Sequence, residues 1–208
     1  MERMNGLRGI SAITATPFPF AHPMVGQAFT VQTAAGDNLA MHQTLEIVEP
    51  GQVLAVTAGG GPKRAITGEI MVQYAESLGV AGLVVDGAVR DSDTLRHGNL
   101  PVFAAGIVHL GPYKNGPGAI RCTVSMGGIV VRSGDVLVGD ADGVAVVPLD
   151  QANSILEHSE AKEADERDIM NKISTGEYPT AWLKDLVALE EVEVSDAGSP
   201  ASSTHSDT

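Results

Sequence analysis

Apolar residues recur along this chain at two periods, and the changes of period mark the elements. Over residues 27–33, Ala28, Thr30 and Gln32 alternate with Phe29, Val31 and Thr33, a pattern that predicts a strand. Residues 53–57, 81–85 and 101–105 are short apolar runs bounded by turn residues and predict buried strands. Ile70, Met71, Tyr74, Ala75 and Leu78 recur three and four residues apart. They predict a helix over 67–78, with Thr67 as its cap, Glu69 in its first turn and Gly79 as its stop. Shorter helices are expected from Asp37 or Asn38 through Ile47, and from Asp91 or Ser92 through His97.

Outside these elements the pattern is sparser. Pro17, Pro19 and Pro23 exclude a helix before residue 24. Residues 58–62 and 110–118 read as loops rich in glycine and proline. From 119 to 148, β-patterned runs alternate with turns at Gly127-Gly128, Ser133-Gly134-Asp135 and Asp140 to Gly143, as in a compact antiparallel or mixed β region. A helix over 150–174 and a further helical piece over 182–192 follow. Residues 195–208 have almost nothing to bury and are expected to be disordered. The order β-α-β-α-β, then a β-rich half, then a helix argues for an α/β domain of packed layers rather than a doubly wound parallel sheet. No internal repeat is visible.

Composition narrows the class. At 208 residues the chain suits one domain, at most two; residues 1–194 read as one domain followed by the tail. The formal net charge of −13, much of it in the C-terminal third, disfavours phosphate backbones, so nucleic acid is not expected as a partner. The one cysteine, Cys122, allows no intrachain disulfide and is read as a buried structural residue, which fits a reducing cytoplasm. No window approaches the roughly 18 apolar residues of a membrane span, so no membrane association is expected.

Two segments carry the candidate chemistry. The first, Thr67-Gly68-Glu69-Ile70-Met71, places free backbone N–H groups at a helix N-terminus, where donors and dipole bind a carboxylate or phosphate. The second, Asp86-Gly87-Ala88-Val89-Arg90-Asp91, sets a guanidinium and a carboxylate beyond the end of a buried strand, where α/β folds place ligands. Arginine holds carboxylates in a fork, and aspartate holds hard cations such as magnesium. Each segment also has a structural reading, as a surface ion pair or a helix-dipole partner. Gly59-Gly60-Gly61 lacks the ending of a phosphate loop, and the six histidines form no H-x-H or H-x-x-x-H pair that would suit zinc.

Several segments taken together resemble the family that contains 4-hydroxy-4-methyl-2-oxoglutarate aldolases and the regulator of ribonuclease activity A. They are Val25-Gly26-Gln27-Ala28-Phe29-Thr30-Val31, Gly36-Asp37-Asn38-Leu39-Ala40, Thr67-Gly68-Glu69, the run from Gly79 through Val85-Asp86-Gly87-Ala88-Val89-Arg90-Asp91, Pro101-Val102-Phe103-Ala104, and Gly134-Asp135 through Pro148. The resemblance covers residues 5–175. It implies a layered α/β/β sandwich of the swivelling-domain type that assembles as homotrimers or homohexamers.

The resemblance also implies a chemistry: a class II pyruvate aldolase that uses a divalent cation, Mg2+ or Mn2+, to cleave a 4-hydroxy-2-oxo acid, with oxaloacetate decarboxylation as a second activity. The pyruvyl end of the substrate would lie across Gly68, Glu69, Ile70 and Met71. Arg90 matches the substrate-binding arginine and Asp91 the metal ligand; Glu69, with Arg90 and Asp91, completes the expected catalytic set. The base that takes the C4 hydroxyl proton is expected to be a water positioned by Glu69 or Asp86, and His42 is a further candidate across a subunit boundary.

Two residues depart from the family pattern: Glu69 stands where aldolases commonly carry aspartate, and Thr94 where a charged residue is frequent. Members also carry a helical segment before the counterpart of Gly6-Leu7-Arg8-Gly9, so a shortened start is expected here. The rivals are a non-catalytic regulator that binds a ribonuclease, and an enzyme acting on a different 2-oxo acid.

Overall fold

The computed structural model describes residues 5–14, 23–59, 61, 63–177 and 180. It divides into two compact units, Met1–Ser159 and Glu160–Thr208. The elements are β1 (Asn5–Gly6), β2 (Ser11–Ala12), β3 (Met24–Thr33), α1 (Leu39–Thr44), β4 (Val53–Thr57), β5 (Ala65–Thr67), α2 (Glu69–Ser77), β6 (Gly82–Val89), α3 (Ser92–His97) and β7 (Val102–Ile107). There follow β8 (Gly118–Ile120), β9 (Val124–Met126), β10 (Ile129–Val131), β11 (Val136–Asp140), β12 (Gly143–Val147), a 3-10 turn (Leu149–Gln151) and α4 (Ala152–Ser174).

The centre of the first unit is four parallel strands in the order β3-β4-β6-β7. Antiparallel β11, β12 and β1 extend it beyond β3, and β2 closes on β7. Alternation along each central strand feeds two cores. Phe29, Val31, Leu54, Val56, Leu83 and Val85 face Met41, Met71, Val72, Ala75 and Leu95 of the helices. Ala28, Val53, Ala55, Val84 and Phe103 face Val124, Met126 and Val131 of the β9–β10 pair. Helices on one face and β structure on the other give the α/β/β layering expected from the pattern. Such burial on both faces requires near-continuous apolar strands, which the runs 53–57 and 81–85 supply.

Three differences from the expected elements bear on function. The strand expected to end at Val85 continues to Val89. Asp86-Gly87 has the composition of a turn, yet the Asp86 carbonyl accepts Ala58 N–H within the sheet. Gly87 is needed there, because a Cβ would come within 2.6 Å of Ala58 Cβ. Strand β5 was not expected at all; it replaces β4 beside the second half of β6, pairing Ala65 with Ala88 and Thr67 with Val89. Thr67 does not cap α2: Gly68 holds the N-cap position, and the buried Thr67 hydroxyl has no partner among the described residues.

Other differences are small. Two short strands, β1 and β2, lie in the stretch read as irregular, and Gly79 ends α2 at φ +75° as expected. Cys122 is half-buried rather than buried, at the edge of the second core, where its carbonyl accepts the Thr30 hydroxyl. Helix α4 has no buried residue and carries the i,i+4 ion pairs Lys162–Glu166, Glu163–Arg167 and Asp168–Lys172. Such solvent-exposed pairs add little stability. The helix expected over 182–192 and the tail from 195 lie outside the described residues.

Asp37 ties the turn before α1 to the 113–117 loop. Its carboxylate accepts the N–H groups of Leu39, Asn115 and Gly116. Burial works to raise its pKa, but the three donors outweigh burial and hold it below the ordinary carboxylate value. A depressed pKa means stability that is fully present above the unfolded-state value near 3.9 and lost as pH falls through the folded value. Asp37→Asn is therefore expected to cost about 1–3 kcal/mol at neutral pH. In urea unfolding curves taken across pH, the gap to the natural chain should hold steady above about pH 5 and narrow below about pH 4.

Candidate active site

The replacement of β4 by β5 beside β6 brings the two candidate segments together. Arg90 N–H donates to the Thr67 carbonyl at 3.0 Å, so the end of β6 lies against the start of α2. Gly68, between β5 and α2, is the point of closest approach. A Cβ on it would stand 2.3 Å from Asp91 Oδ2 and 2.7 Å from Arg90 Cγ. Its φ of −157° is ordinary extended backbone, so the demand for glycine here is one of space, not of conformation. The side chains of Arg90 and Asp91 lie across the gap that the missing Cβ leaves.

Asp91 adopts φ 56° and ψ 39°, a left-handed conformation uncommon outside glycine and concentrated at functional sites. It occupies the N-cap position of α3 but does not cap that helix. Its Oδ2 instead accepts Glu69 N–H at 3.1 Å and lies 3.5 Å from Arg90 Nε. The helix α2 dipole and one first-turn donor thus hold the carboxylate in place. Oδ1 has no partner among the described residues. Both side chains are about two-fifths exposed, at 42% and 41%, so the pair is open to a ligand and contributes little stability by itself.

The remaining expected residues are placed unequally. Glu69 is half-buried, and its Oε1 accepts Gln73 Nε2 at 3.1 Å. The side chain of Ile70 is 79% exposed, and that of Met71 is in the core, where its sulfur accepts Asn38 Nδ2. These two residues therefore face a ligand only through their backbone N–H groups, which in a first helical turn have no intrahelical acceptor. Asp86 is not brought to the site: its Oδ2 accepts Gly127 N–H on the β9–β10 side of the sheet. The reason is strand alternation, which points Asp86 to the same face as Val84. His42 lies on α1; burial, with the charge of Lys114, lowers its pKa, and its Nε2 has no partner among the described residues.

One feature of the site had no signal in the local sequence. Arg64 precedes β5 and stacks on Tyr113, with its Cζ 3.9 Å from the ring centroid. Its Nη2 donates to Tyr113 Oη at 2.7 Å and its Nη1 to the Gly111 carbonyl. Gly111 also borders Arg90, whose Nη1 lies 3.1 Å from where a Gly111 Cβ would stand. Arg64 and Tyr113 are 49 residues apart, beyond the reach of any periodicity. A separate groove of about 350 Å³, among Met24, Glu76, Val80, Asn99 and Pro101, lies at the opposite end of the strands from Arg90.

The comparisons with known proteins agree with this architecture. A family model described as RraA-like, Aldolase/RraA, matches residues 1–146. The chain belongs to the RraA-like family. It is 40% identical over 164 residues, covering 78% of each chain, to a protein of Halalkalibacterium halodurans named "Putative 4-hydroxy-4-methyl-2-oxoglutarate aldolase". Among solved structures, an uncharacterized protein from Pseudomonas syringae pv. tomato is 32% identical with a TM-score of 0.72, covering 82% of this chain and 78% of that one. The RNA-processing inhibitor RraA from Thermus thermophilis is 27% identical with a TM-score of 0.62, covering 70% and 85%. The RraA-like fold expected from the resemblance is thus the fold observed.

The donor set bears on whether this RraA-like site suits a cation. Among the described residues no group of three or more His, Cys, Asp or Glu converges, so there is no all-protein cage. Asp91 offers one hard oxygen, Oδ1, that accepts no hydrogen bond among the described residues, while Oδ2 lies over Gly68. That fits a magnesium-type cation, which takes one or two protein carboxylates and keeps several waters. Gly68→Ala is expected to displace Arg90 and Asp91 by about an ångström and so to lower kcat/KM about 100-fold for any carboxylate substrate. The variant should still fold, because the backbone conformation suits alanine, but with a lowered unfolding midpoint, because the new Cβ must push Arg90 and Asp91 aside.

Proposed function

We propose that this chain is a divalent-metal-dependent carbon–carbon lyase that cleaves a 4-hydroxy-2-oxo acid to pyruvate and a second oxo acid. 4-Hydroxy-4-methyl-2-oxoglutarate is the candidate substrate. The observation that carries this reading is the laying of Arg90 and Asp91 across Gly68 at the N-terminus of α2. The aldolase name of the Halalkalibacterium relative points the same way.

The chain's own residues divide the work. The free N–H groups of Ile70 and Met71 and the α2 dipole receive the substrate carboxylate. Asp91 Oδ1 and waters would hold the cation, Mg2+ or Mn2+, which when bound supplies Lewis-acid stabilisation of the enolate charge. Glu69 N–H and Arg90 fix Asp91 Oδ2, so the carboxylate is oriented before a ligand arrives. Loss of the C4 hydroxyl proton makes C4–O a carbonyl as the C3–C4 bond breaks; the bond's electron pair becomes the enolate of pyruvate, and the proton taken up by the water returns to C3. Arg90 places a fixed positive charge beside the enolate oxygen. Asp86 is turned away and does not position the water expected to take this proton. Glu69 can position it: Oε1 is held by Gln73, and Oε2 has no partner among the described residues. The same enolate forms when oxaloacetate loses carbon dioxide, so decarboxylation needs no further residue.

Exposed apolar side chains lie on the site's own elements: Ile70 and Tyr74 on α2, and Ile107, Leu110 and Tyr113 on and after β7. They suit cover by a neighbouring subunit, as in a homotrimer or homohexamer. The second reading, a regulator that binds a ribonuclease, is favoured by the likeness to the RNA-processing inhibitor. It gives no reason for the side chains of Arg90 and Asp91 to be gathered over Gly68.

The two readings separate on pyruvate release from oxaloacetate and from 4-hydroxy-4-methyl-2-oxoglutarate, with magnesium and with a chelator. Turnover that needs the metal and is abolished in Asp91→Ala is the expected result. Arg90→Gln should lower kcat about 100- to 1,000-fold, as for the loss of one preorganised donor. No pyruvate from either compound under any metal would count against the lyase and in favour of the regulator.

A further inference from the structure

Arg64 is a second guanidinium at the edge of the site, and it has no acidic partner among the described residues. Its position is built rather than loose. The stem lies against Gly36, where a Cβ would come within 2.9 Å of Arg64 Cδ. The guanidinium is held by the Tyr113 ring, the Tyr113 hydroxyl and the Gly111 carbonyl. Tyr113 is itself fixed through backbone bonds to Gly36 and Asn38, and the loop beyond it by the Asp37 carboxylate. A guanidinium has five N–H donors, and two are used here; Nε and one N–H on each terminal nitrogen remain.

The placement relative to Arg90 sets the ligand class. Both guanidinium groups border Gly111: Arg64 bonds its carbonyl, and Arg90 Nη1 lies 3.1 Å from where its Cβ would be. Two fixed cations on either part of one glycine suit a ligand with two carboxylates a few bonds apart.

We propose that Arg64, stacked on Tyr113 and sharing Gly111 with Arg90, is a second carboxylate subsite that receives the distal carboxylate of a short 2-oxo dicarboxylic acid. This rests on the enolate reading above, in which the pyruvyl end lies at Arg90. The distal carboxylate leaves with the second oxo acid when the C3–C4 bond breaks. Arg64 therefore selects diacids over substrates whose second fragment is a neutral aldehyde, and acts on binding rather than on the chemical step.

The test is calorimetric binding of 2-oxoglutarate and of pyruvate, in magnesium, to the natural chain, Arg64→Gln and Arg64→Lys. Neither acid has a C4 hydroxyl, so neither is cleaved. The expected result is that Arg64→Gln weakens 2-oxoglutarate about 10- to 100-fold, as for the loss of a charged hydrogen-bonded pair, and leaves pyruvate unchanged. Arg64→Lys should fall between, because it keeps the charge but not the fork. Unchanged pyruvate binding also shows that the variant is folded. Unaltered 2-oxoglutarate affinity in Arg64→Gln, or equal weakening of both acids, overturns the subsite and leaves the enolate reading standing. A natural chain that binds neither acid would remove the enolate reading itself, and the subsite with it.

Discussion

Arg90 N–H reaches the Thr67 carbonyl only because β5 takes over from β4 along the second half of β6. That one backbone join sets the end of a strand against the start of a helix. The candidate site depends on it. It aims the Glu69 N–H at the Asp91 carboxylate, and it brings two side chains over Gly68 at distances that a Cβ there would not permit. The local cost is visible in Asp91, held with φ at 56°, a conformation that persists only where the surroundings over-determine it. Here the surroundings are the Glu69 N–H, the Arg90 side chain and the start of α3.

The layered architecture was readable from the pattern because both cores follow from simple alternation. Val53, Ala55 and Val84 point one way, and Leu54, Val56 and Leu83 the other, in runs too short to be anything but strands. Helix α2 was readable from Ile70, Met71, Tyr74, Ala75 and Leu78 at helical spacing, but the face it buries is Met71, Val72 and Ala75, and Ile70 and Tyr74 are exposed. The candidate site was readable in part: the resemblance and the residue chemistry both pointed to Gly68, Glu69, Arg90 and Asp91, and the fold brings these four together.

The rest was hidden for physical reasons. Asp86-Gly87 carries turn composition, but a glycine that admits Ala58 and an aspartate that bonds across the layers make it strand. Strand β5 is three residues long, and its pairing with β6 is a long-range event that no local window records. The partnership of Arg64 with Tyr113 and Gly111 is likewise tertiary. Asp91 looked like a helix cap by position, and it stands at that position, but its side chain is recruited by a different helix. Capping propensity reports where a residue can stand, not which of two nearby donor sets it will serve.

The electrostatic plan is consistent with a small anionic ligand. The chain is acidic overall, yet Arg64 and Arg90 border the same glycine, Gly111, and Arg90 lies beside the first turn of α2. The central claim is that a carboxylate and a cation meet over Gly68. The most direct measurement is a crystal structure with manganese and oxalate, read by anomalous scattering. The account expects manganese about 2 Å from Asp91 Oδ1, and oxalate on the Ile70 and Met71 N–H groups beside Arg90. Manganese bound elsewhere, with Asp91 and Gly68 free of both ligands, would contradict it.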